Sequence, residues 1–95
     1  MVDYNKLYNT YITNKPAGKE IDYKAILSPY TQQCNIVITE DEIILGSDNN
    51  PLNKIPQKNI FAIVEEENKI HIILRASIYT IDKKTGAISL NIRNL

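Results

Sequence analysis

Residues 60–93 decide the fold, and they read IFAIVEEENKIHIILRASIYTIDKKTGAISLNIR. Isoleucine, valine and aromatic residues, which favour strands, fill most of this stretch. Polar interruptions lie near residues 67–69 and at residues 83–86. Short apolar-rich segments separated by polar loops are typical of antiparallel hairpins, so the stretch predicts two β-hairpins in succession.

The second hairpin has the clearer pattern. Gly86 ends its loop, where a residue without a Cβ adopts positive φ at no steric cost, and Asp82 precedes the loop, where its carboxylate can accept hydrogen bonds from loop amides. Pairing Asp82 with Ala87 sets the register and predicts one buried face. That face consists of Tyr79, Ile81, Ile88, Leu90 and Ile92.

The first hairpin leaves two registers open. With a two-residue turn, Phe61 and Ile63 share a face with the apolar residues of the following strand. With a three-residue turn, Ile60, Ala62 and Val64 take that face. A one-residue slip exchanges the two faces of a strand, and both sets are apolar. Apolar residues on both faces predict a central position, with the core on one side and a second layer on the other.

Two short helices are predicted before the strands. Residues 3–12 carry tyrosines and aliphatic residues at helical spacing behind Asp3 as N-cap, and this stripe is expected to pack on the sheet. A second helix begins at Asp22, which Ile21 and Ile26 flank as a hydrophobic staple. Neither helix is long enough to be stable alone, so both must dock.

The middle of the chain predicts another hairpin and an edge strand. Residues 34–39 and 42–47 flank a tight acidic turn at residues 40–41. Residues 54–57 are predicted to form an edge strand, because Pro56 cannot donate a backbone hydrogen bond. Breaker residues predict loops at 15–18 and 47–51.

These elements predict an α+β fold, in which two short N-terminal helices pack on a mostly antiparallel β-sheet or roll of about six strands. No helix longer than two turns is expected after Thr31. At 95 residues, the chain is predicted to be a single domain spanning residues 1–95, with one small core.

Cysteine content and hydropathy indicate the cellular compartment that is expected for the protein. Cys34 is the single cysteine, which excludes an intramolecular disulfide and a cysteine-based zinc site. No secretory leader is recognised, and no apolar run approaches the roughly 18 residues that span a bilayer. We therefore expect a cytoplasmic protein without a transmembrane segment.

The net charge is zero, but the charges are unevenly distributed. Residues 34–67 hold two lysines and seven acidic residues, whereas residues 68–95 hold five basic residues and one acidic residue. General binding to nucleic acid or to anionic membrane requires a dominant basic field and is not predicted. This uneven distribution indicates either that the charges only keep the turns solvated or that an acidic patch meets a basic partner.

No group of residues in the sequence carries catalytic chemistry. Cys34 and His71 form the only thiol–imidazole combination, and both fall in predicted strands, so they are interpreted as structural. Asp48 and the asparagines after it lack the glycine and bidentate glutamate of a calcium loop. Carboxylates beside the exposed turns are expected to be solvated. We therefore predict that the protein is not an enzyme and has no catalytic, cofactor or metal site.

Residues 34–74, CNIVITEDEIILGSDNNPLNKIPQKNIFAIVEEENKIHIIL, resemble bacterial pleckstrin-homology-like domains in their rhythm of strands and turns. The resemblance lies in a strand ending in threonine, an acidic turn, a short strand and an I-P-x-x-x-I step, here Ile55, Pro56 and Ile60. Such domains usually close with a C-terminal helix, whereas the last element predicted here is a strand. The resemblance implies an adaptor or membrane-peripheral role without catalytic residues.

Two functions are therefore predicted. The first is a small non-catalytic protein–protein interaction module, such as an adaptor, inhibitor or immunity-type protein, with a protein partner. The alternative, implied by the resemblance, is a ligand-binding domain that recognises a lipid headgroup or small anion. Its basic residues would be Lys69, Arg75, Lys83, Lys84 and Arg93.

The candidate partner-binding residues lie in charged turns. If the two acidic hairpins are neighbours in one sheet, their turns lie at one end, beside the basic loop. The candidates are Glu40, Asp41, Glu42, Glu65, Glu66, Glu67, Lys83 and Lys84. The sequence does not indicate the partner or the oligomeric state.

Overall fold

The computed structural model describes residues 3–12, 21–46 and 53–93 of the chain. Short 3-10 helices at Ser28–Tyr30 and Gln57–Asn59 connect the regular elements. The loops predicted at 15–18 and 47–51, and Asp48, lie outside the described residues. The described elements are α1 (Tyr4–Tyr11), α2 (Tyr23–Leu27), β1 (Ile36–Ile38), β2 (Glu42–Leu45), β3 (Lys54–Pro56), β4 (Ile60–Glu65), β5 (Lys69–Leu74), β6 (Ser77–Asp82) and β7 (Ile88–Ile92).

The predicted α+β class is confirmed, but the sheet arrangement differs from the prediction. The described strands number seven rather than about six, and they form two antiparallel sheets with the orders β1-β2-β3 and β4-β5-β6-β7. The 3-10 helix at Gln57–Asn59 follows β3 directly and interrupts the extended chain before β4. Among the described residues after Thr31, helical structure is limited to 3-10 segments, as expected.

The main core lies between the two sheets. Isoleucine side chains from both sheets meet there, and Leu27 of α2 is fully buried with them. Asp22 caps α2, since its carboxylate accepts a hydrogen bond from the Ala25 N–H at 3.0 Å. The buried residues of this core are Leu27, Cys34, Ile36, Ile43, Leu45, Ile55, Ile60, Ile70, Ile72, Tyr79 and Ile81.

A second, smaller core lies on the other face of the four-stranded sheet, where α1 packs. Tyr8 of α1 is buried against Ile73 and Ile78. Its hydroxyl donates to the carbonyl oxygen of Asn91 at 3.1 Å. The prediction that the tyrosine stripe packs on a sheet is therefore confirmed. The β4–β5 hairpin is covered on both faces, as predicted, but only β5 is central, because β4 lies at the edge of the sheet.

A β-bulge in β4 resolves the register of the first hairpin. The Glu66 N–H donates to the Lys69 carbonyl at 2.8 Å, so the turn has two residues. Ile63 then pairs with Ile72 and faces the main core. The bulge shifts the register between Ile60 and Ala62, so that Ile60 faces the main core and Phe61 faces α1. The face predicted from the two-residue turn is therefore correct after the bulge, at Ile63, and the face predicted from the three-residue turn is correct before it, at Ile60.

The β6–β7 hairpin has the predicted register, but only part of its apolar face is buried. Ile81 pairs with Ile88 and Gly86 has φ +73°, as predicted. Ile81 is fully buried, whereas Leu90 is 44% exposed and Ile92 is 68% exposed. The end of β2 comes close to β7 at Ile88, which a Cβ on Gly46 would approach to 3.0 Å. Burial of Leu90 and Ile92 was therefore predicted wrongly.

Candidate protein-interaction site

The acidic turn after β4 and the basic loop after β6 meet at one end of the four-stranded sheet. Lys83 Nζ donates to the Glu65 carboxylate at 2.9 Å and lies 5.1 Å from the centroid of the Tyr30 ring. The Tyr30 hydroxyl donates to the same carboxylate. Hydrogen bonds from Tyr30 and Lys83 hold the pKa of Glu65 below its usual value. Glu65 and Lys83 therefore tie the segment after α2 to the sheet.

Glu66 is engaged by a buried histidine. His71 is fully buried, its Nε2 is hydrogen-bonded to the Glu66 carboxylate, and its Nδ1 lies 2.8 Å from Thr80 Oγ1. The Tyr4 ring of α1 meets the imidazole edge-on, with 6.5 Å between ring centroids. Both ring nitrogens thus have partners, as buried polar groups require. The Glu65 and Glu66 side chains are 43% and 52% exposed, and each carboxylate is also hydrogen-bonded to side chains elsewhere in the fold.

The other acidic turn, at residues 40–42, lies in the three-stranded sheet. The Asp41 carbonyl accepts a hydrogen bond from the Gln57 N–H at 2.8 Å, in the segment that leads into β4. Glu65 lies at the far end of β4, six residues along, and six extended residues span about 20 Å. The premise that the two acidic hairpins are neighbours in one sheet is therefore wrong. The structure does not gather Glu40, Asp41 and Glu42 with Glu65, Glu66 and Glu67.

The basic loop before β7 is held by Asp82. The Asp82 carboxylate accepts hydrogen bonds from the N–H groups of Lys84 at 2.8 Å and Thr85 at 3.0 Å. The backbone hydrogen bonds from Thr85 and Lys84 lower the pKa of Asp82. The loop is therefore fixed by its own carboxylate, as predicted, and it presents Lys84 to solvent.

The five basic residues of this half of the chain fall into two groups. Lys69, Lys83 and Lys84 lie at the end of the four-stranded sheet that holds the acidic turn. Arg75 and Arg93 lie at the opposite end, where the turn between β5 and β6 borders the end of β7. Within the described residues, the five therefore do not form one basic pocket.

Cys34 lies outside the strand in which it was predicted. Asn35 has φ +52°, which interrupts the extended backbone, so β1 begins only at Ile36. Cys34 is buried against the β6–β7 loop, with its Sγ 3.8 Å from the Asp82 carbonyl oxygen. Burial raises the pKa of its thiol. A buried thiol with a raised pKa is a poor nucleophile, in keeping with a structural role.

β7 has a feature that the sequence reasoning missed. It pairs with β6 and, in the described part of the chain, with no other strand, so its second edge is open among the described residues. Leu90 and Ile92 are exposed beside that edge, on one face and two residues apart. The available signal was that the predicted hairpin of residues 77–82 and 87–93 assigned a partner to only one edge of the second strand.

The backbone of β7 is oriented by two hydrogen bonds. The Asp82 N–H donates to the Ala87 carbonyl at 2.9 Å, and the Arg93 N–H donates to the Ala76 carbonyl at 2.8 Å. Antiparallel strands alternate between hydrogen-bonded and non-hydrogen-bonded pairs. The N–H and C=O groups of the residues at even positions therefore point away from β6. These residues are Ile88, Leu90 and Ile92.

No protein-family model, curated protein or solved structure matches the chain. Within residues 3–12, 21–46 and 53–93, no helix is long and apolar enough to cross a membrane. The same residues contain no group of three or more histidine, cysteine or carboxylate side chains placed to hold a metal ion. Function is therefore inferred from the geometry of β7 and the charged loops.

Proposed function

We propose that this chain is a small non-catalytic protein–protein interaction module of the adaptor, inhibitor or immunity type, working in the cytoplasm. The supporting observation is the adjacent exposure of Leu90 and Ile92 on a strand with an open edge. Exposed apolar side chains that adjoin one another on a surface can form a binding patch. Val37, the other large exposed apolar residue in the described part of the chain, lies on β1 in the other sheet.

The charged turns serve this function in different ways. Glu67 and Lys84 are exposed at one end of the four-stranded sheet, where they can steer a charged partner. Glu65, Glu66 and Lys83 bond to other parts of the fold, so we assign them mainly to stability. The Glu40–Asp41–Glu42 turn forms a separate acidic surface on the three-stranded sheet.

Partner capture with matched variants tests the proposal. The full chain is immobilised as wild type, as the double variant Leu90→Thr/Ile92→Thr, and as the control Val37→Thr, and exposed to extract of the source cell. Val37 is 45% exposed, which matches Leu90, and threonine retains strand propensity. We expect one protein to bind wild type and the control and to be depleted about tenfold on the double variant. Equal retention on all three baits would contradict the proposal.

Vesicle binding distinguishes a pleckstrin-homology-like ligand-binding domain from the proposed protein–protein interaction module. Recognition of an anionic headgroup would use the lysine group formed by Lys69, Lys83 and Lys84. Vesicle binding that falls with Lys69→Gln/Lys84→Gln and is unaffected by Leu90→Thr/Ile92→Thr would favour this alternative. Under the interaction proposal, neutral and anionic vesicles bind the chain equally weakly.

A further inference from the structure

The open edge of β7 offers a row of backbone groups to an extended strand. The N–H and C=O groups of Ile88, Leu90 and Ile92 point away from β6. An added strand satisfies such groups by continuing the sheet, and its alternate side chains contact the apolar residues beside the edge. Leu90 and Ile92 are placed to make those contacts.

The other sheet edges carry features that oppose strand addition. β1 is only three residues long, and β3 contains Lys54 and Pro56. β4 is distorted by its bulge between Ile60 and Ala62. Short length, lysine, proline and bulges protect edge strands from pairing with another chain. β7 has an unbroken register over five residues and contains neither lysine nor proline.

Basic side chains flank β7 at both ends. Lys84 is exposed in the loop that precedes it. Arg93 follows it directly, with its guanidinium 5.1 Å from the centroid of the Tyr8 ring, and Arg75 is exposed in the neighbouring turn. Asp82, the one acidic residue of this hairpin, directs its carboxylate to its own loop amides. A strand with acidic residues at both flanks therefore meets Lys84 at one end and Arg75 at the other, while the acidic turn after β4 lies across β5 and β6 from this edge.

We propose that β7 binds an extended segment of a partner protein by strand addition, and that this segment is apolar at alternate positions and acidic at both flanks. This inference rests on the proposed function and specifies the class of partner and the mode of binding. A second copy of the chain fits less well. Antiparallel self-pairing centred on Leu90 would place Arg93 opposite Ala87 of the copy and near its basic loop, so that like charges would approach.

Two synthetic peptides test the charge requirement. The ¹⁵N-labelled full chain is titrated at low salt with acetylated and amidated EEVTVTVEE, and separately with KKVTVTVKK. We expect the acidic peptide to bind about tenfold more tightly, with a difference that shrinks as salt is added. It should also slow amide exchange at Ile88, Leu90 and Ile92. No binding up to about 1 mM peptide, equal binding of both peptides, or a response confined to other strands would overturn the proposal.

A proline substitution tests the backbone requirement. The Leu90 N–H points away from β6, and edge strands tolerate proline where the N–H faces solvent. Leu90→Pro should abolish binding of the acidic peptide, whereas Leu90→Thr, which keeps the N–H, should weaken it only several-fold. The melting temperature of each variant shows whether it is folded. Folded Leu90→Pro that binds the peptide as wild type does would overturn strand addition.

A modified peptide gives the same test without changing the protein. EEVTPTVEE lacks the central N–H and should bind wild type at least about tenfold more weakly than EEVTVTVEE; equal binding would again overturn strand addition.

Sedimentation that reveals a dimer lost in folded Leu90→Pro would identify a second copy as the occupant, against the proposal. If the captured partner is lost with Leu90→Thr/Ile92→Thr but retained by folded Leu90→Pro, the interaction function stands and strand addition fails.

Discussion

The two halves of the β6–β7 face differ although their sequence pattern is the same. Ile81 and Ile88 lie where the three-stranded sheet covers the hairpin, and Ile81 is fully buried. Leu90 and Ile92 continue the same alternation beyond that cover and remain exposed. Alternation therefore indicates which face an apolar residue occupies, whereas burial depends on what packs against that face.

The largest expected effect lies in the covered half. Ile81→Ala removes a fully buried side chain from the main core and should lower the free energy of unfolding by about 2–5 kcal/mol. Urea denaturation of wild type and variant measures the difference. The matched control, Ile92→Ala on the same face, should change it by less than about 0.5 kcal/mol. Similar losses for the two variants would show that the two halves do not differ in burial.

Gly86, in the loop that joins these strands, should give the next largest effect. Gly86→Ala places a Cβ on a residue with φ +73°, 3.2 Å from the Gln33 carbonyl oxygen. Both the left-handed backbone and the close contact are unfavourable, so we expect a loss of about 1–3 kcal/mol. Thr85→Ala, in the same loop, is the control and should cost less. An unchanged stability for Gly86→Ala would contradict the tight packing of this loop on the Cys34 segment.

Acid should lower the stability that the carboxylates of Glu65 and Asp82 contribute at the charged end of the four-stranded sheet. The folded-state pKa values of Glu65 and Asp82 are lowered by their hydrogen-bond partners. Both groups therefore stabilise the fold above their unfolded pKa values near 4, and this contribution is lost as pH falls through the lower folded values. Stability measured from pH 5 to 2 should fall less steeply for Glu65→Gln/Asp82→Asn than for wild type. Parallel pH profiles would show that neither carboxylate contributes.

The smallest effect on stability is expected in the uncovered half. Leu90→Thr/Ile92→Thr changes two exposed side chains on an edge strand, so its free energy of unfolding should lie within about 0.5 kcal/mol of wild type. Thermal unfolding beside the Val37→Thr control provides the comparison. A loss above about 2 kcal/mol would mean that these side chains are buried in solution, and the contrast between the halves would disappear.

Local chemistry made much of the fold predictable. Asp3 and Asp22 cap the two helices through their own carboxylates. Gly86 has the positive φ that the loop requires, and the pairing of Asp82 with Ala87 set the register of the last hairpin correctly. Each of these features depends on residues close together in sequence, which a pattern can reveal.

The features that the sequence did not reveal depend on distant contacts. The bulge in β4 places Ile60 in the main core and Phe61 against α1, and local periodicity cannot predict which of two neighbouring apolar residues faces which layer. The division into two sheets leaves the acidic turns apart, so the predicted interaction residues are only partly gathered. The exposure of Leu90 and Ile92 depends on what packs against that face of β7, and no local pattern encodes it.

Amide hydrogen exchange along β7 tests the open edge most directly. Ser89 and Asn91 form hydrogen-bonded pairs with β6, whereas the Leu90 and Ile92 N–H groups point outward. In the free protein, the Ser89 and Asn91 amides should exchange at least about tenfold more slowly than those of Leu90 and Ile92. Exchange at Leu90 as slow as at Asn91 would mean that another segment already pairs with this edge, which would contradict the account.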